Sequence, residues 1–240
     1  MGIVQLDNVT YTYSNGLALH FPAINFEEKK VTAIIGRSGS GKSTLLQLIN
    51  GLLRASSGIV SAFNKPLDYK NLQPLRLRMG YMVQGSGLFP HLTVEDNISM
   101  PGVISTGRKM ARRLEEVMDL VGLSQHYKTK FPHELSGGEQ QRVGICRALF
   151  LNPPILLMDE PFGALDPVTR VEIHAELLRL QSMVPRTILF VTHDMREARV
   201  LAEEILVMDR GQIQQFGTVA NVMQNPATPA VVKLIEAGIL

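Results

Sequence analysis

Short apolar runs alternate with longer stretches of helical periodicity along most of this chain. Four of these runs are short enough, and rich enough in large apolar residues, for buried parallel strands: VTAII, MGYMV, ILLM and TILFVT. Each run is followed at once by a residue that can hold or activate a phosphate, namely Gly36, Gln84, Asp159 and His193. Ligands of open parallel sheets bind beyond the carboxyl ends of the strands. The pattern therefore predicts an α/β fold in which these four positions meet at one edge of a sheet.

The N-terminal segment and the middle of the chain have different patterns. GIVQLDNVTYTYS and the residues from Asn25 to Glu28 predict edge strands, with SNG as a turn between them. From about Gly85 to Pro154 the apolar positions follow a helical period, as in GRKMARRLEEVMDLVGL, with no β-rich run before ILLM. We therefore expect a helical lobe inserted between the strands of the core.

Composition narrows the class of protein. The 24 Lys and Arg residues nearly balance the 22 Asp and Glu residues of this 240-residue chain, so the net charge of +2 gives no electrostatic reason to expect a nucleic-acid surface. The single cysteine, Cys146, excludes an internal disulfide and fits a reducing compartment. The start MGIVQLDNV lacks the pattern of a secretory signal, and no apolar run approaches the roughly 20 residues that span a bilayer. We expect a cytoplasmic protein that works at a membrane only through a partner.

The stretch GRSGSGKST lies between the first predicted buried strand and a predicted helix that begins at about Lys42. Its glycines allow a tight turn that presents successive backbone N–H groups to an anion. We expect Lys42 to reach the β- and γ-phosphates of a nucleotide and the Ser43 hydroxyl to be a ligand of Mg²⁺. The alternative is a flexible turn without a ligand. The predicted nucleotide contacts of this stretch are Gly36, Arg37, Ser38, Gly39, Ser40, Gly41, Lys42, Ser43 and Thr44.

ILLMDE is a predicted buried strand that ends in two carboxylates, which would be costly to leave unpaired. We expect Asp159 to hold Mg²⁺ and Glu160 to orient or deprotonate the attacking water, against the alternative that Glu160 only caps the turn at Pro161. His193 and Gln84 are weak signals alone. Beside a phosphate loop and an acid pair, they predict a catalytic γ-phosphate contact and a group that senses the metal or the water, respectively.

The octapeptide LSGGEQQR supports two roles. Ser136 and Glu139, three residues apart, form the pattern of a capping box that begins the helix EQQRVGICRALF. The N–H groups of Gly137 and Gly138 at the same helix start also suit an anion. The residues alone leave both roles open.

Taken together, these motifs make the sequence resemble the nucleotide-binding subunit of an ATP-binding cassette (ABC) transporter over almost its whole length. LSGGEQQR is the diagnostic motif of that family. The resemblance implies ATP and Mg²⁺ as cofactors, with Gln84 as a further metal ligand, and an aromatic side chain that stacks on adenine, Tyr13 in preference to Tyr11. It implies a single ABC ATPase domain with a RecA-like P-loop NTPase core, an N-terminal antiparallel β subdomain and an inserted α-helical subdomain. The single ABC ATPase domain would span residues 1–240. Within it, the core with its β subdomain would comprise residues 1–84 and 155–240, and the helical subdomain residues 85–154. The motifs, in the family's order, are GRSGSGKST, Gln84, LSGGEQQR, ILLMDE, GALD and VTHD.

The resemblance also implies a dimer of this chain or of homologous ATPase subunits. In this family two subunits meet head to tail, so that each ATP lies between the phosphate loop of one and the LSGGEQQR stretch of the other. Asp166, in the GALD loop, would lie at that seam. Closure would then be driven by ATP that binds the closed state better. The residues that would face the nucleotide of the second copy are Ser136, Gly137, Gly138 and Glu139.

The type of transporter rests on the resemblance alone. The region QGSGLFPHLTVEDNI corresponds to the groove that receives a membrane permease subunit, with Leu88, Phe89 and Pro90 as contacts; the alternative is that these are ordinary core or turn residues. FPHLTVEDNI and EPFGALDPVTR look most like prokaryotic importers, especially those for glycine betaine, choline and other quaternary-amine osmoprotectants. Importers of polyamines, amino acids, sugars or metals are the alternative, and a soluble cassette ATPase outside transport is another. We expect a peripheral subunit at the cytoplasmic face of the inner membrane, linked only indirectly to a solute-binding protein and without a nucleic-acid partner.

Overall fold

The computed structural model describes residues 2–85 and 87–238, which form alternating strands and helices. Ser86, in the predicted permease-contacting region, lies outside the described residues. The strands, in chain order, are β1 (Gly2–Thr12), β2 (Ala18–Phe21), β3 (Ile24–Glu27), β4 (Val31–Gly36), β5 (Ser57–Ala62), β6 (Lys65–Pro66), β7 (Met79–Met82), β8 (Ile155–Asp159), β9 (Thr187–Thr192), β10 (Glu204–Asp209) and β11 (Gln212–Thr218). The helices are α1 (Lys42–Ile49), α2 (Gln73–Arg76), α3 (Val94–Thr106), α4 (Ala111–Leu120), α5 (Gly137–Leu149), α6 (Pro167–Met183), α7 (Met195–Leu201), α8 (Val219–Gln224) and α9 (Pro229–Ala237).

The chain divides into two compact units. The first combines Met1–Pro74 with Arg186–Leu240, and the second is Leu75–Pro185. The second unit therefore includes the whole of the predicted helical lobe, 85–154, together with flanking residues on both sides. The predicted domain limits stay a prediction.

The first unit contains a mixed sheet with the strand order β6-β5-β1-β2-β11-β10-β4-β9. Strands β10, β4 and β9 are parallel neighbours, with Val207 opposite Ile35 and Ile35 opposite Thr192. Every residue of β4 and β9 is buried, as expected for parallel strands that are covered on both faces. Two of the four predicted buried strands therefore lie side by side.

Strand β1 is not the edge strand that the sequence predicted. It pairs antiparallel with β2, β3 and β5, and Leu6 has Ile24 of β3 on one side and Val60 of β5 on the other. The reason is its length: 11 residues, the first five of them buried or half-buried, offer ladder positions to several neighbours. The predicted turn at SNG is present, closed by a hydrogen bond from Tyr13 N to Leu17 O (2.8 Å).

The second unit pairs β7 with β8 in parallel, with Met82 opposite Met158. Along the chain, α3, α4 and α5 lie between β7 and β8. The described residues of 85–154 include no strand, which confirms the helical character predicted for this region. Helix α5 packs against both α3 and α4. None of the helices in the described part of the chain combines the length and apolar character needed to cross a bilayer.

Candidate active site

The phosphate loop of the first unit connects β4 to α1. Gly39 and Gly41 have φ angles of 76° and 98°, in the left-handed region that side chains beyond glycine rarely adopt. At Gly36, a Cβ would lie 2.1 Å from the carbonyl oxygen of Met208, so the close approach of these two segments requires glycine. Helix α1 begins at Lys42, as predicted, and its N-terminal end is directed at the loop.

Two polar side chains of this loop are buried. The Lys42 ammonium is 7% exposed and donates hydrogen bonds to the carbonyl oxygens of Gly36 (2.8 Å) and Arg37 (2.9 Å). The Ser40 hydroxyl is buried and has no hydrogen-bond partner among the residues that the structure describes. A buried hydroxyl of this kind is costly unless it finds an acceptor. Ser40 and Lys42 together therefore suit a phosphate oxygen.

Tyr13 lies against this part of the molecule. Its hydroxyl forms a hydrogen bond with the Thr44 hydroxyl of α1, and its ring meets the ring of Tyr11 edge to face, with centroids 5.0 Å apart. Both tyrosines are half-buried. The contact with α1 agrees with the choice of Tyr13 over Tyr11, while stacking on adenine stays a prediction.

His193 follows β9, the parallel neighbour of β4, and is exposed. The turn that carries it is fixed by the preceding Thr192, whose hydroxyl accepts a hydrogen bond from Asp194 N (3.0 Å) and donates one to Glu197. His193 and Gly36 thus follow adjacent strand ends of one sheet.

The acid pair lies in the second unit, at the end of β8. Asp159 is 3% exposed, and Glu160 has a φ of 49°, an uncommon value for a residue with a side chain. Gln84 follows the neighbouring strand β7, and its Nε2 donates a hydrogen bond to Glu160 Oε2 (3.2 Å). Gln84 and the acid pair therefore meet within this unit. The meeting of all four strand ends at one edge stays a prediction.

The LSGGEQQR stretch forms the predicted capping box. Ser136 is the N-cap of α5; its hydroxyl accepts a hydrogen bond from Glu139 N (3.3 Å), and Glu139 Oε2 accepts from Ser136 N (2.7 Å). The Ser136 hydroxyl also donates to Glu139 Oε2 (2.9 Å). Ser136 and Gly137 are exposed, so the start of the helix is accessible to a ligand.

Glu139 has further partners. Burial disfavours its charge, but hydrogen bonds from Tyr127 and Ser136 and the charge of Lys130 outweigh burial, so the pKa of Glu139 lies below its ordinary value. The Lys130 ammonium lies 4.6 Å from the centroid of the Tyr127 ring. Glu139 is therefore anionic at neutral pH and fixed from several sides.

Asp166 is the N-cap of α6. Its Oδ1 accepts hydrogen bonds from Thr169 N (3.0 Å) and Val168 N (3.1 Å). The hydrogen bonds from Thr169 and Val168 hold the pKa of Asp166 below its ordinary value. Asp166 is exposed, so the capping contacts leave it accessible to a second molecule.

The predicted permease contacts lie before α3. Phe89 is 41% exposed, Pro90 is exposed and Leu88 is half-buried, so they are not ordinary core residues. The Arg147 guanidinium lies 5.9 Å from the centroid of the Phe89 ring and donates to Gly87 O (3.0 Å). Burial lowers the pKa of Arg147.

With this geometry in view, comparison with known proteins identifies the family. The family model described as "ABC transporter" matches residues 19–163, more than half of the chain. The chain belongs to the ABC transporter family. The predictions of this family, of its α/β cassette fold and of an ABC transporter ATPase are thereby confirmed.

Individual relatives of this ABC transporter ATPase are similar over most of its length. It is 41% identical over 231 residues to the glycine betaine uptake system ATP-binding protein YehX of Escherichia coli, covering 95% of this chain and 75% of that protein. It is 40% identical over 236 residues to the choline transport ATP-binding protein OpuBA of Bacillus subtilis, covering 97% of this chain and 62% of that protein. The chain thus spans less than two thirds of the second relative.

Solved structures agree with the cassette fold. A dimeric structure of MJ0796, described as a bacterial ABC transporter cassette, has a TM-score of 0.84 and 34% identity, and the match covers 90% of this chain and 98% of that one. The structure of cbiO1 from Clostridium perfringens, described as part of the ABC transporter complex cbiONQ, has a TM-score of 0.81 and 31% identity, with 98% and 95% covered.

The predicted metal ligands of the ABC transporter ATPase are of a kind that Mg²⁺ accepts. No group of three or more His, Cys, Asp or Glu side chains that could hold a metal occurs in the described ranges. The predicted ligands Ser43, Gln84 and Asp159 offer only oxygen atoms to a metal. Mg²⁺ is typically bound by one or two such protein ligands, with phosphate and water oxygens completing the shell.

Two buried amides were missed by sequence reasoning. Gln141, in α5, hydrogen bonds to the backbone at Glu160 and Ala164, and Asn97, in α3, to the backbone around Phe89. Neither residue lies in a strand-end position or in a spacing that indicates a ligand. The only available signal for Gln141 was its place inside the LSGGEQQR octapeptide.

Proposed function

We propose that this ABC transporter ATPase binds and hydrolyses ATP as the energy-coupling subunit of an importer whose membrane subunits are separate chains. The observation that carries the proposal is the contact between Gln84 and Glu160 at the end of β8. This contact holds the Glu160 carboxylate where it can activate a hydrolytic water. The same chain also carries a complete phosphate loop.

The predicted site residues have different roles in the reaction. The backbone N–H groups of the phosphate loop, the Lys42 ammonium and the Ser40 hydroxyl bind the phosphates of ATP, and His193 contacts the γ-phosphate. Glu160 orients the water and accepts its proton, while Gln84 keeps the carboxylate in place. The adenine ring stacks on Tyr13.

Ser43, Asp159 and Gln84 would hold the Mg²⁺ ion that accompanies ATP. When bound, Mg²⁺ neutralises charge on the phosphate oxygens. Ser43 lies at the start of α1 and Asp159 at the end of β8, so each would-be ligand is carried by a regular element.

The second role of LSGGEQQR requires another copy of the chain or a homologous subunit. Ser136, Gly137, Gly138 and Glu139 face the nucleotide of that copy, with Asp166 at the seam. Support comes from the exposure of Ser136, Gly137 and Asp166, and from MJ0796, which is described as dimeric and, in a post-hydrolysis state, as bound to ADP and Pi. Closing on ATP and opening after hydrolysis then move the membrane subunits.

The membrane subunit docks at Leu88, Phe89 and Pro90. Support comes from the exposed Phe89 ring on a backbone that Asn97 fixes, which makes an apolar contact with little ordering cost. The chain then works as a peripheral subunit at the cytoplasmic face of the inner membrane, with a solute-binding protein as an indirect partner.

The proposed solutes are quaternary-amine osmoprotectants, such as glycine betaine and choline. Relatives with these solutes in their names are 41% and 40% identical to the chain, but a sulfate/thiosulfate import protein, CysA of Thermosynechococcus vestitus, is 39% identical. An importer for another solute is therefore the second candidate. Uptake of labelled glycine betaine, choline and sulfate by cells carrying the complete transporter separates them. The osmoprotectant proposal is supported only if betaine or choline uptake is observed and is lost in the Lys42→Ala variant.

The hydrolytic function is tested with Glu160→Gln. We expect nucleotide binding to persist while the rate of ATP hydrolysis falls by about 10²-fold or more, because the amide cannot accept the proton of the water. Glu28→Gln, the same change at an exposed glutamate of the first unit, is the control. Hydrolysis by Glu160→Gln at the wild-type rate would remove Glu160 as the base.

Binding is tested separately with Lys42→Ala. The loss of the ammonium that the loop holds should weaken ATP binding in a fluorescence titration, with little change in adenosine binding. Unchanged ATP affinity would show that the loop is not a phosphate site.

A further inference from the structure

Gln141 connects the helix that begins at LSGGEQQR to the backbone of the catalytic glutamate. Its side chain is 4% exposed, and both ends of its amide are used. Nε2 donates a hydrogen bond to the carbonyl oxygen of Glu160 (2.8 Å), and Oε1 accepts one from Ala164 N (2.8 Å). The amide therefore holds the segment 160–164 at its two ends.

The backbone of Glu160 needs such support. Its φ of 49° lies in the left-handed region, which a residue with a Cβ adopts only when the surrounding structure enforces it. Within the turn itself, the Glu160 carbonyl accepts a long hydrogen bond from Gly163 N (3.4 Å). The shorter bond from Gln141 fixes the same carbonyl from outside the turn. Because the backbone angles of Glu160 determine where its Cα–Cβ bond points, Gln141 holds the backbone from which the carboxylate extends.

The same helix carries the residue that faces the second copy. Ser136 is the N-cap of α5, and Gln141 lies five residues further along. A helical segment of that length spans about 7–8 Å and moves as a rigid unit. A cavity of about 230 Å³ lies between the start of α5 and the Glu160 carboxylate. Gly137, Gln84 and Glu160 are among the residues that line it. Side-chain packing is open there, and Gln141 connects α5 to segment 160–164 across it.

We propose that Gln141 is a positioning residue for Glu160, and that it transmits movement of α5, caused by the partner's nucleotide at Ser136, to the base of the same chain. The inference rests on the proposed function, because it takes Glu160 as the base and Ser136 as the contact with the partner's ATP. Gln141 itself touches neither the nucleotide nor the water. Its effect is to make the geometry of one site depend on the occupancy of the other.

Gln141→Leu removes both hydrogen bonds at nearly constant volume. We expect kcat for ATP hydrolysis to fall about tenfold or more, because a displacement of a catalytic group by a fraction of an ångström to 1 Å is enough for such a loss. ATP affinity should stay within about twofold of the wild type, since the phosphate-binding groups are unchanged. The Hill coefficient for ATP should also fall towards one.

Gln140→Leu is the matched control. Gln140 is the preceding residue of α5 and lines the same cavity, but its side chain donates its hydrogen bonds to the carbonyls of Pro132 (3.0 Å) and Leu135 (3.3 Å). The kcat of Gln140→Leu shows how much of any loss of kcat in Gln141→Leu comes from weakening the start of α5. If both variants lose the same fraction of kcat, the positioning role of Gln141 is overturned.

Gln141→Glu keeps the proposal testable if the leucine variant does not fold. A protonated carboxyl can donate to the Glu160 carbonyl and accept from Ala164 N, whereas a carboxylate cannot donate. Burial at this position raises the pKa of the introduced carboxyl above the ordinary glutamate value of about 4.3. The kcat of this variant relative to wild type should therefore rise as the pH falls from 8 towards 5. A relative kcat that does not change with pH would contradict the inference.

The two proposals fail in different ways. Wild-type kcat and Hill coefficient in Gln141→Leu, beside an inactive Glu160→Gln, would overturn the positioning role and leave the ATPase proposal standing. Full activity of Glu160→Gln would overturn the ATPase mechanism itself.

Discussion

At the scale of single residues, the hydroxyl proton of Ser136 has two competing acceptors. In the structure it is donated to Glu139 Oε2, while the oxygen of the same hydroxyl accepts from Glu139 N. A hydroxyl has only one proton to donate. If Ser136 donates to a phosphate of the partner's ATP, as we propose, the bond to Glu139 must first break. The side-chain bond to Glu139 Oε2 and the nucleotide contact are therefore alternatives for that proton, whereas both bonds of the capping box use backbone N–H groups and can persist.

Glu139 gives a pH-dependent contribution to stability. Because hydrogen bonds from Tyr127 and Ser136 outweigh burial, its pKa is below the ordinary value, so its charged form stabilises the fold at neutral pH. This contribution is lost as the pH falls below the ordinary glutamate value of about 4.3 and through the lowered pKa. We expect Glu139→Gln to lower the free energy of unfolding by about 0.3–1 kcal/mol at neutral pH. Urea denaturation should show the difference from wild type shrinking as the pH falls below about 4.3.

The exposed Glu28→Gln serves as the control, with no difference from wild type across the same pH range. A gap between wild type and Glu139→Gln that stays constant down to acid pH would contradict the assignment, since the neutral carboxyl would then stabilise α5 as well as the charged one.

Sequence predicted those residues whose role follows from local spacing. The serine and glutamate three residues apart predicted the capping box, and the glycine pattern predicted the turn before Lys42. Gln141 and Asn97 were missed for a physical reason. Their partners are backbone atoms, which carry no residue-type signal, and in the case of Gln141 they lie 19 and 23 residues away.

At the scale of elements, the segment before α3 is held by one side chain. Asn97 is fully buried; its Oδ1 accepts from Phe89 N (2.8 Å), and its Nδ2 donates to the carbonyls of Phe89 (3.1 Å), Leu92 (3.0 Å) and Thr93 (3.0 Å). Thr93 also caps α3. One amide thus folds the loop that carries the exposed Phe89 onto the first turn of the helix.

Replacing Asn97 by alanine should destabilise this element. We expect the free energy of unfolding to fall by about 2–3 kcal/mol, because backbone groups at Phe89 and Leu92 lose their partner. The measurement is urea denaturation together with limited chymotrypsin digestion, in which cleavage after Leu92 should appear below the unfolding transition, whereas the Phe89–Pro90 bond is resistant because proline follows it.

Asn225→Ala is a suitable control, since Asn225 is exposed and its side chain makes a single bond to Asn221 (3.2 Å). It should change the free energy of unfolding by less than about 0.5 kcal/mol. Equal effects of the two substitutions would show that Asn97 does not organise the loop.

The elements themselves were predictable to different degrees. Buried strands such as β4, β8 and β9 are continuous apolar runs, so their positions followed from composition alone. The neighbours of β1 could not be predicted in this way. Pairing depends on which later strands lie beside β1, here those that contain Ile24 and Val60, and no local sequence pattern indicates this. That is why an edge strand was predicted where the structure has a strand with partners on both sides.

At the scale of the whole molecule, each unit brings together one pair of strand ends: Gly36 with His193, and Gln84 with Asp159 and Glu160. Parallel pairing is sufficient to explain each convergence, which is why a rule about strand ends could predict them. Ser136 does not follow a strand end, and its predicted role depends on a second molecule. No property of a single chain tests that role, so the decisive prediction concerns two chains.

Two defective chains should complement each other if each nucleotide is shared between subunits. Lys42→Ala lacks the phosphate-loop ammonium but keeps Ser136, whereas Ser136→Arg keeps Lys42 but blocks the start of α5. In a head-to-tail heterodimer, one nucleotide lies between the two intact halves and the other between the two defective halves. The mixture should therefore form ATP-dependent heterodimers, measured by native mass spectrometry, whereas neither variant alone should dimerise on ATP. Dimer formation is the readout because the inferred coupling through Gln141 makes hydrolysis depend on both sites. Lys42→Ala mixed with the double variant Lys42→Ala/Ser136→Arg is the control and should form no such dimer, because no intact phosphate loop is present. If the first mixture forms no ATP-dependent heterodimer either, each nucleotide belongs to one chain, and Ser136 serves only as the cap of α5.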